Sequence, residues 1–188
     1  MIILNNVETI SIAVALICGC YLLGAFGWSI VFPDRRLWPP KNATLGIKIR
    51  VWCATTAIFV ATLALGLSDW NGLEWPAAIR WSIGLPHIVI GNIVVWVGVK
   101  KIGLGATSGE VDELKADGVY AYSRNPQYVA DMGILLGWAV LSATFWAVFM
   151  AGFGIFILAA APFAEEPWLE EVYGQSYRDY LTRVRRYF

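Results

Sequence analysis

The sequence predicts an all-α integral membrane protein: five transmembrane helices, the last two forming a helical hairpin, followed by a C-terminal amphipathic interfacial helix. Three observations lead there. Hydrophobic residues make up 58% of the 188 and charged ones only 15%, so the apolar surface exceeds what a soluble core of this size would hide. The apolar runs are long enough to cross a hydrocarbon layer of about 30 Å at 1.5 Å per residue. All fourteen Lys and Arg lie between those runs or in the tail after the last one. The chain reads as a single membrane domain, 1–188. Cys18, Cys20 and Cys53 sit inside apolar runs without a CxxC pair, and there is one His, so neither a disulfide framework nor a metal site is expected. With a formal net charge of zero, no nucleic-acid partner is expected either.

The first span, Thr9 to Phe32, carries no charge and is too long, with no basic n-region, for a cleaved signal peptide. A polar loop from Pro33 to Arg50 follows, then a second span from Ile49 or Val51 to Leu67, ended by Ser68, Asp69, Asn71 and Gly72. In the connector to Arg80, Trp70 and Trp75 suit interfacial anchors, as does Trp81 at the start of the third span, Trp81 to Val99. Lys100 to Arg124 reads as a long polar loop, with Gly103, Gly105 and Gly109 as points of flexibility and not a dinucleotide fingerprint, since they follow a membrane helix. From Pro126 to Phe163 the apolar run is twice what one span needs, and Ser142-Ala143-Thr144 divides it into helices over about Asn125–Leu141 and Thr144–Phe163. Beyond it, apolar residues at 169, 172, 173, 177, 180, 181 and 184 share one helical face. That face suits an interfacial helix with Arg183, Arg185 and Arg186 near anionic headgroups.

If the spans alternate, thirteen of the fourteen basic residues fall on one side. The positive-inside rule makes that side cytoplasmic. The N-terminus is then outside and the C-terminus inside, in the inner membrane if the cell is bacterial. Arg124 and the C-terminal tail share a face.

The stretch Gly118 to Tyr128 is polar and aromatic and leads into the fourth span. Pro126 suits a first helical turn and Asn125 an N-cap. The start of a helix, with Arg124 beside it, is a place for an anion. Glu165 and Glu166 fall at the end of the fifth span, where the helix dipole opposes them, and call for a cationic partner: Arg124, a cationic ligand, or both.

Gly118-x-Tyr120-x-x-x-Arg124-Asn125-Pro126-x-Tyr128, followed by Glu165-Glu166-x-x-Leu169-x-x-x-Tyr173-Gly174-x-x-Tyr177-x-x-Tyr180, resembles the isoprenylcysteine carboxyl methyltransferase and phospholipid methyltransferase superfamily of integral membrane enzymes. The resemblance covers about the last seventy residues. It implies S-adenosylmethionine as cofactor, enclosed at the cytoplasmic face, and a lipid-like or prenylated acceptor reaching the methyl group from the bilayer. It also implies a three-helix scaffold over 1–100 and a cofactor-binding half over 101–188. Carried over by motif position, Gly118, Val119, Tyr120, Arg124, Asn125, Pro126, Tyr128, Glu165 and Glu166 hold the cofactor, and Arg124 and Glu165 serve catalysis. Asn125 departs from the His of many members and cannot act as a base near neutral pH. Pro167 is expected to break the fifth helix from the tail.

These residue types complement the cofactor's sulfonium, ammonium and carboxylate. The acceptor stays open among a prenylated cysteine, a phospholipid amine, a small thiol or another lipid, and the oligomeric state stays open as well. Asp131 is a candidate substrate or cofactor contact, the alternative being a headgroup-depth Asp paired with Arg124 or Lys115. His87 and Asn92 are candidates to line a substrate cavity or to bond between helices. Gly133-x-x-x-Gly137 suggests close helix packing. The alternative function is an NADPH-dependent membrane sterol or lipid reductase, a class that resembles the same superfamily through an Arg-x-Pro-x-Tyr turn.

Overall fold

The structure, a computed structural model, describes residues 5–40, 45–108 and 113–187. Its helices are α1 (Asn6–Val31), α2 (Leu45–Ser68), α3 (Ala77–Thr107), α4 (Pro126–Ser142), α5 (Phe145–Tyr173) and α6 (Gln175–Arg183). Among the described residues there is no strand. Four helices, α1, α2, α3 and α5, are long and apolar enough to cross a membrane. The 17 residues of α4 reach about 26 Å at 1.5 Å per residue.

Helix α5 occupies the middle, packing on α1, α2 and α4, while α3 lies outside on α4. Small residues let these helices approach. Gly84, Gly91 and Gly98 recur every seven residues on α3, a spacing that keeps them on one helix face. A Cβ on Gly84 or Gly91 would sit 2.8 Å from a backbone carbonyl oxygen of α4, that of Gly137 or Ala130. In the expected Gly133/Gly137 pair, Gly137 does face α3, 2.7 Å from the Gly84 oxygen by the same construction, but Gly133 meets nothing within 4 Å. The contact therefore runs along a seven-residue glycine stripe on the partner helix, and only one glycine of the GxxxG pair takes part.

The hairpin forms where expected. Ala143 adopts φ 46°, ψ 49° and is fully buried, and the carbonyls of Ser142 and Ala143 accept from the backbone of Asn71 and Leu73. On the same side Arg80, buried, donates to Leu141 O and lies 4.7 Å from the Trp70 ring.

Two boundaries differ from expectation. Helix α3 continues through Lys100, Lys101 and Gly105 to Thr107, bending at Gly103, whose φ of 82° absorbs the change of direction. The charge of the segment hid its helicity, because Lys side chains reach water from a helix as well as from a loop. Gly109 lies outside the described residues. At the other end, α5 runs unbroken through Pro162 and Pro167 to Tyr173, and Gly174, at φ 55°, ends it. Proline removes a donor but does not break a helix held on both sides by packing, and Tyr187 donates its hydroxyl to Ala159 O on the turn that Pro162 disturbs. The expected amphipathic face is thus divided between the end of α5 and a short α6.

Gly137→Ala should destabilise the protein by about 1–3 kcal/mol, because backbone on the facing helix cannot yield. Gly133→Ala should change it by no more than about 0.5 kcal/mol. Equal midpoints for the two variants in detergent unfolding would contradict this packing.

Candidate active site

The turn before α4 is held by the segment after α6. Beyond Arg183 the chain becomes extended, with Val184 at φ −123°, ψ 133°, and crosses the Ser123–Asn125 turn. Arg124 N donates to Arg185 O at 2.9 Å, while Ser123 Oγ and Asn125 Nδ2 both donate to Arg186 O. Asn125 therefore makes no side-chain cap for α4, contrary to expectation: its amide is used to hold the tail.

Glu166 sits between two guanidinium groups. Arg124 donates to its Oε1 through Nε at 3.2 Å and Nη2 at 2.9 Å, and through Nη1 to Val184 O at 2.6 Å. Arg186 donates to both carboxylate oxygens, at 3.0 and 2.7 Å, and its guanidinium lies over the Phe163 ring. The hydrogen bonds to Glu166 hold the Arg186 pKa above its ordinary value. Arg183 and Arg185 are exposed, but Arg186 does not face headgroups as expected, because a nearly buried carboxylate offers it a better partner.

Glu165 points another way, since successive residues on a helix are turned by about 100°. It accepts hydrogen bonds from Trp38 Nε1 at 2.6 Å and from the Tyr128 hydroxyl. Trp38 belongs to the segment between α1 and α2, which is also tied to α5 by Arg36 and Glu171 at 2.5 Å.

Two cavities meet at this point. The larger, about 150 Å³, is lined by Tyr120, Arg124, Asn125, Pro126, Tyr128 and Glu165 of the expected site, together with Lys115 and the aromatic faces of Trp168, Tyr173, Tyr177 and Tyr180. Gly118, Val119 and Glu166 are not among its lining residues. Gly118, at φ 63°, and Val119 shape the turn that presents Tyr120, and Glu166 fixes Arg124 from behind. The second cavity, about 100 Å³, is apolar: residues of α1, α2, α4 and α5 line it, with Asp131 among them. Trp38, Thr107, Gln127 and Tyr128 line both.

The tyrosines interlock. Tyr180 donates to Tyr120 O at 2.6 Å, and Gln127 donates to the Tyr120 hydroxyl at 3.1 Å. Burial raises the pKa of Tyr120 and Tyr177 and pushes that of Tyr180 up to about 12, so all three stay protonated at neutral pH. The Lys101 ammonium beside Asp117 holds its carboxyl below the usual range and ties the motif turn to α3.

His87 and Asn92 do not join the site. Both are exposed on α3 and bond their own helix, His87 Nδ1 to Ile83 O and Asn92 Nδ2 to Ile88 O, each at 2.8 Å. They neither line a described cavity nor bond between helices, because the α3 face that packs is the glycine stripe. Trp38 and Gln127, which sequence reasoning did not select, do line the site. Trp38 stands in a Trp-Pro-Pro loop with no motif to mark it.

The phospholipid methyltransferase family model matches residues 79–176, which is 98 of the 188 residues. The chain belongs to this family. The match begins well before the Gly118 motif, takes in nearly all of α3, and ends just before Tyr177. It places the chain in the superfamily that the two motifs resemble and supports a membrane methyltransferase. Nothing in it supports the reductase alternative. No curated protein and no solved structure shows a significant match.

Glu166→Gln should cost about 3 kcal/mol in detergent unfolding, because it leaves Arg124 nearly buried without its counter-ion. Arg178→Ala, which removes an exposed pair with Glu170, should cost less than about 1 kcal/mol. Similar losses in the two would remove Glu166 from the centre of this arrangement.

Proposed function

We propose that the protein is an S-adenosylmethionine-dependent methyltransferase acting on a lipid-like or prenylated acceptor at the cytoplasmic face of the membrane. The observation that carries this is the pair of cavities, one polar and one apolar, that share the wall of Trp38, Thr107, Gln127 and Tyr128. Such a pair suits two reactants of opposite polarity brought to one point. In this reading α4 also crosses the membrane, which gives five spans with the N-terminus outside and the C-terminus inside, in keeping with the distribution of basic residues.

The polar cavity fits the cofactor's groups. Tyr173, Tyr177 and Trp168 offer aromatic faces to a cation. Glu165 holds the cationic or hydroxyl groups. Arg124 spends three hydrogen bonds on Glu166 and Val184, out of five N–H donors, and keeps capacity for a ligand carboxylate. Gly118 and Val119 set the turn, and Asn125 and Pro126 the start of α4. Bound S-adenosylmethionine supplies an electrophilic methyl group on a positively charged sulfur. What the residues supply is alignment of nucleophile, methyl carbon and leaving sulfur, and exclusion of water by Trp38 and Tyr128 at the shared wall.

S-adenosylmethionine or S-adenosylhomocysteine at a hundredfold over its dissociation constant should raise the melting temperature of the detergent-purified protein by roughly 5–10 °C. Glu165→Gln should reduce that shift. A shift with NADPH and none with either adenosyl compound would make the protein a reductase instead.

A further inference from the structure

Among the described residues one acidic side chain, Asp131, lines the apolar cavity, one turn deeper on α4 than Tyr128. The rise between them is about 4.5 Å. No described residue donates a hydrogen bond to Asp131 or forms an ion pair with it. The two partners that sequence reasoning offered are engaged elsewhere, Arg124 on Glu166 and Lys115 on Glu113.

The other polar groups lining the cavity have committed their protons. Trp38 donates to Glu165, Trp52 to Ser108, Thr55 to Val51 O and Thr107 to Gly103 O. Gln127 donates to Tyr120 and Thr107, and Tyr128 to Glu165. No described Lys, Arg or His lines the cavity. A carboxylate at membrane depth with no partner is costly and calls for one. The cavity offers a proton acceptor and nothing to balance a second negative charge.

We propose that the acceptor's nucleophile is a proton-bearing group, N–H, S–H or O–H, on an apolar stem, that a carboxylate is excluded, and that Asp131 takes the proton. The proposal rests on the methyl-transfer reading. In the step, the lone pair of the nucleophile forms a bond to the methyl carbon of a sulfonium donor. The sulfur–methyl bond breaks, its electron pair staying on sulfur as a neutral thioether. The proton of the nucleophile passes to the Asp131 carboxylate. Charge balances, since one cation and one anion are neutralised together. A carboxylate acceptor would instead sit near Asp131 with like charges facing across an apolar space.

The test is binding of four ten-carbon probes, decylamine, decanethiol, decanol and decanoate, to the full chain in nanodiscs with no sulfonium compound present. At least one of the proton-bearing probes should bind about tenfold or more tightly than decanoate, as a hydrogen bond to a charged group implies. Asp131→Asn should bring the four within about twofold of one another, and Asp131→Glu should keep the preference. Decanoate binding as tightly as the others to the wild type, or a preference that survives in Asp131→Asn, would overturn the proposal. If Asp131→Asn does not fold, the wild-type ranking and Asp131→Glu decide. A lost adenosyl-ligand shift with this preference intact would reject methyl transfer alone.

Discussion

Most of the site depends on one carboxylate. Glu166 accepts from Arg124 on one side and Arg186 on the other, and so joins three segments distant in sequence: the turn before α4, the body of α5, and the extended chain after α6. Each charge would be expensive alone in this half-buried setting, and the arrangement persists because every partner is satisfied. Val184, Arg185 and Arg186 then present their carbonyls to the Ser123–Asn125 turn. Without Glu166 the Arg186 guanidinium would lose both of its hydrogen bonds to a carboxylate, and the tail would be held by the bonds of its carbonyls and of Tyr187 alone.

The neighbouring carboxylate does a different job by virtue of helical geometry alone. Glu165 and Glu166 are adjacent in the chain yet face different partners: Glu166 meets guanidinium groups and serves structure, whereas Glu165 meets an indole N–H and a phenol and borders the polar cavity. Two Glu side by side at a helix end can thus supply one fixed anchor and one group turned to a ligand. The anchor's oxygens are taken up by the Arg124 and Arg186 guanidinium groups, which leaves Glu165 as the acidic side chain that borders the polar cavity.

The membrane helices were legible because apolar runs report on solvent: α1, α2 and the break between α4 and α5 fall within a few residues of the limits that charge and Ser142-Ala143-Thr144 suggest. The ends at Thr107 and Tyr173 were not, for a shared reason. Both helices continue past their apolar runs into polar sequence, where neither hydropathy nor an internal proline marks the boundary. The turn and acid motifs were legible as a pair, and Glu166 does find Arg124. The part played by Arg186 was hidden, since a basic residue in a basic tail reads as a headgroup contact until the carboxylate beside it is seen. His87 and Asn92 were misleading because a polar residue in a span suggests a cavity, when each satisfies itself on its own helix.

The limits of the family match bear on what differs between the two cavities. Residues 79–176 contain most of the lining of the polar cavity, including Tyr120, Arg124, Tyr128 and Glu165. The apolar cavity draws Leu22 and Phe26 from α1 and Val51, Trp52, Thr55 and Ile58 from α2, all outside the match. On the proposed assignment the methyl-donor side lies mostly within the family match, while about half of the acceptor side comes from residues outside it. Trp38, also outside the match, closes both cavities and holds Glu165. Substitutions in α1, α2 and their connector can therefore reshape the apolar cavity without touching the Glu166 clamp, because no described residue of those elements contributes to it.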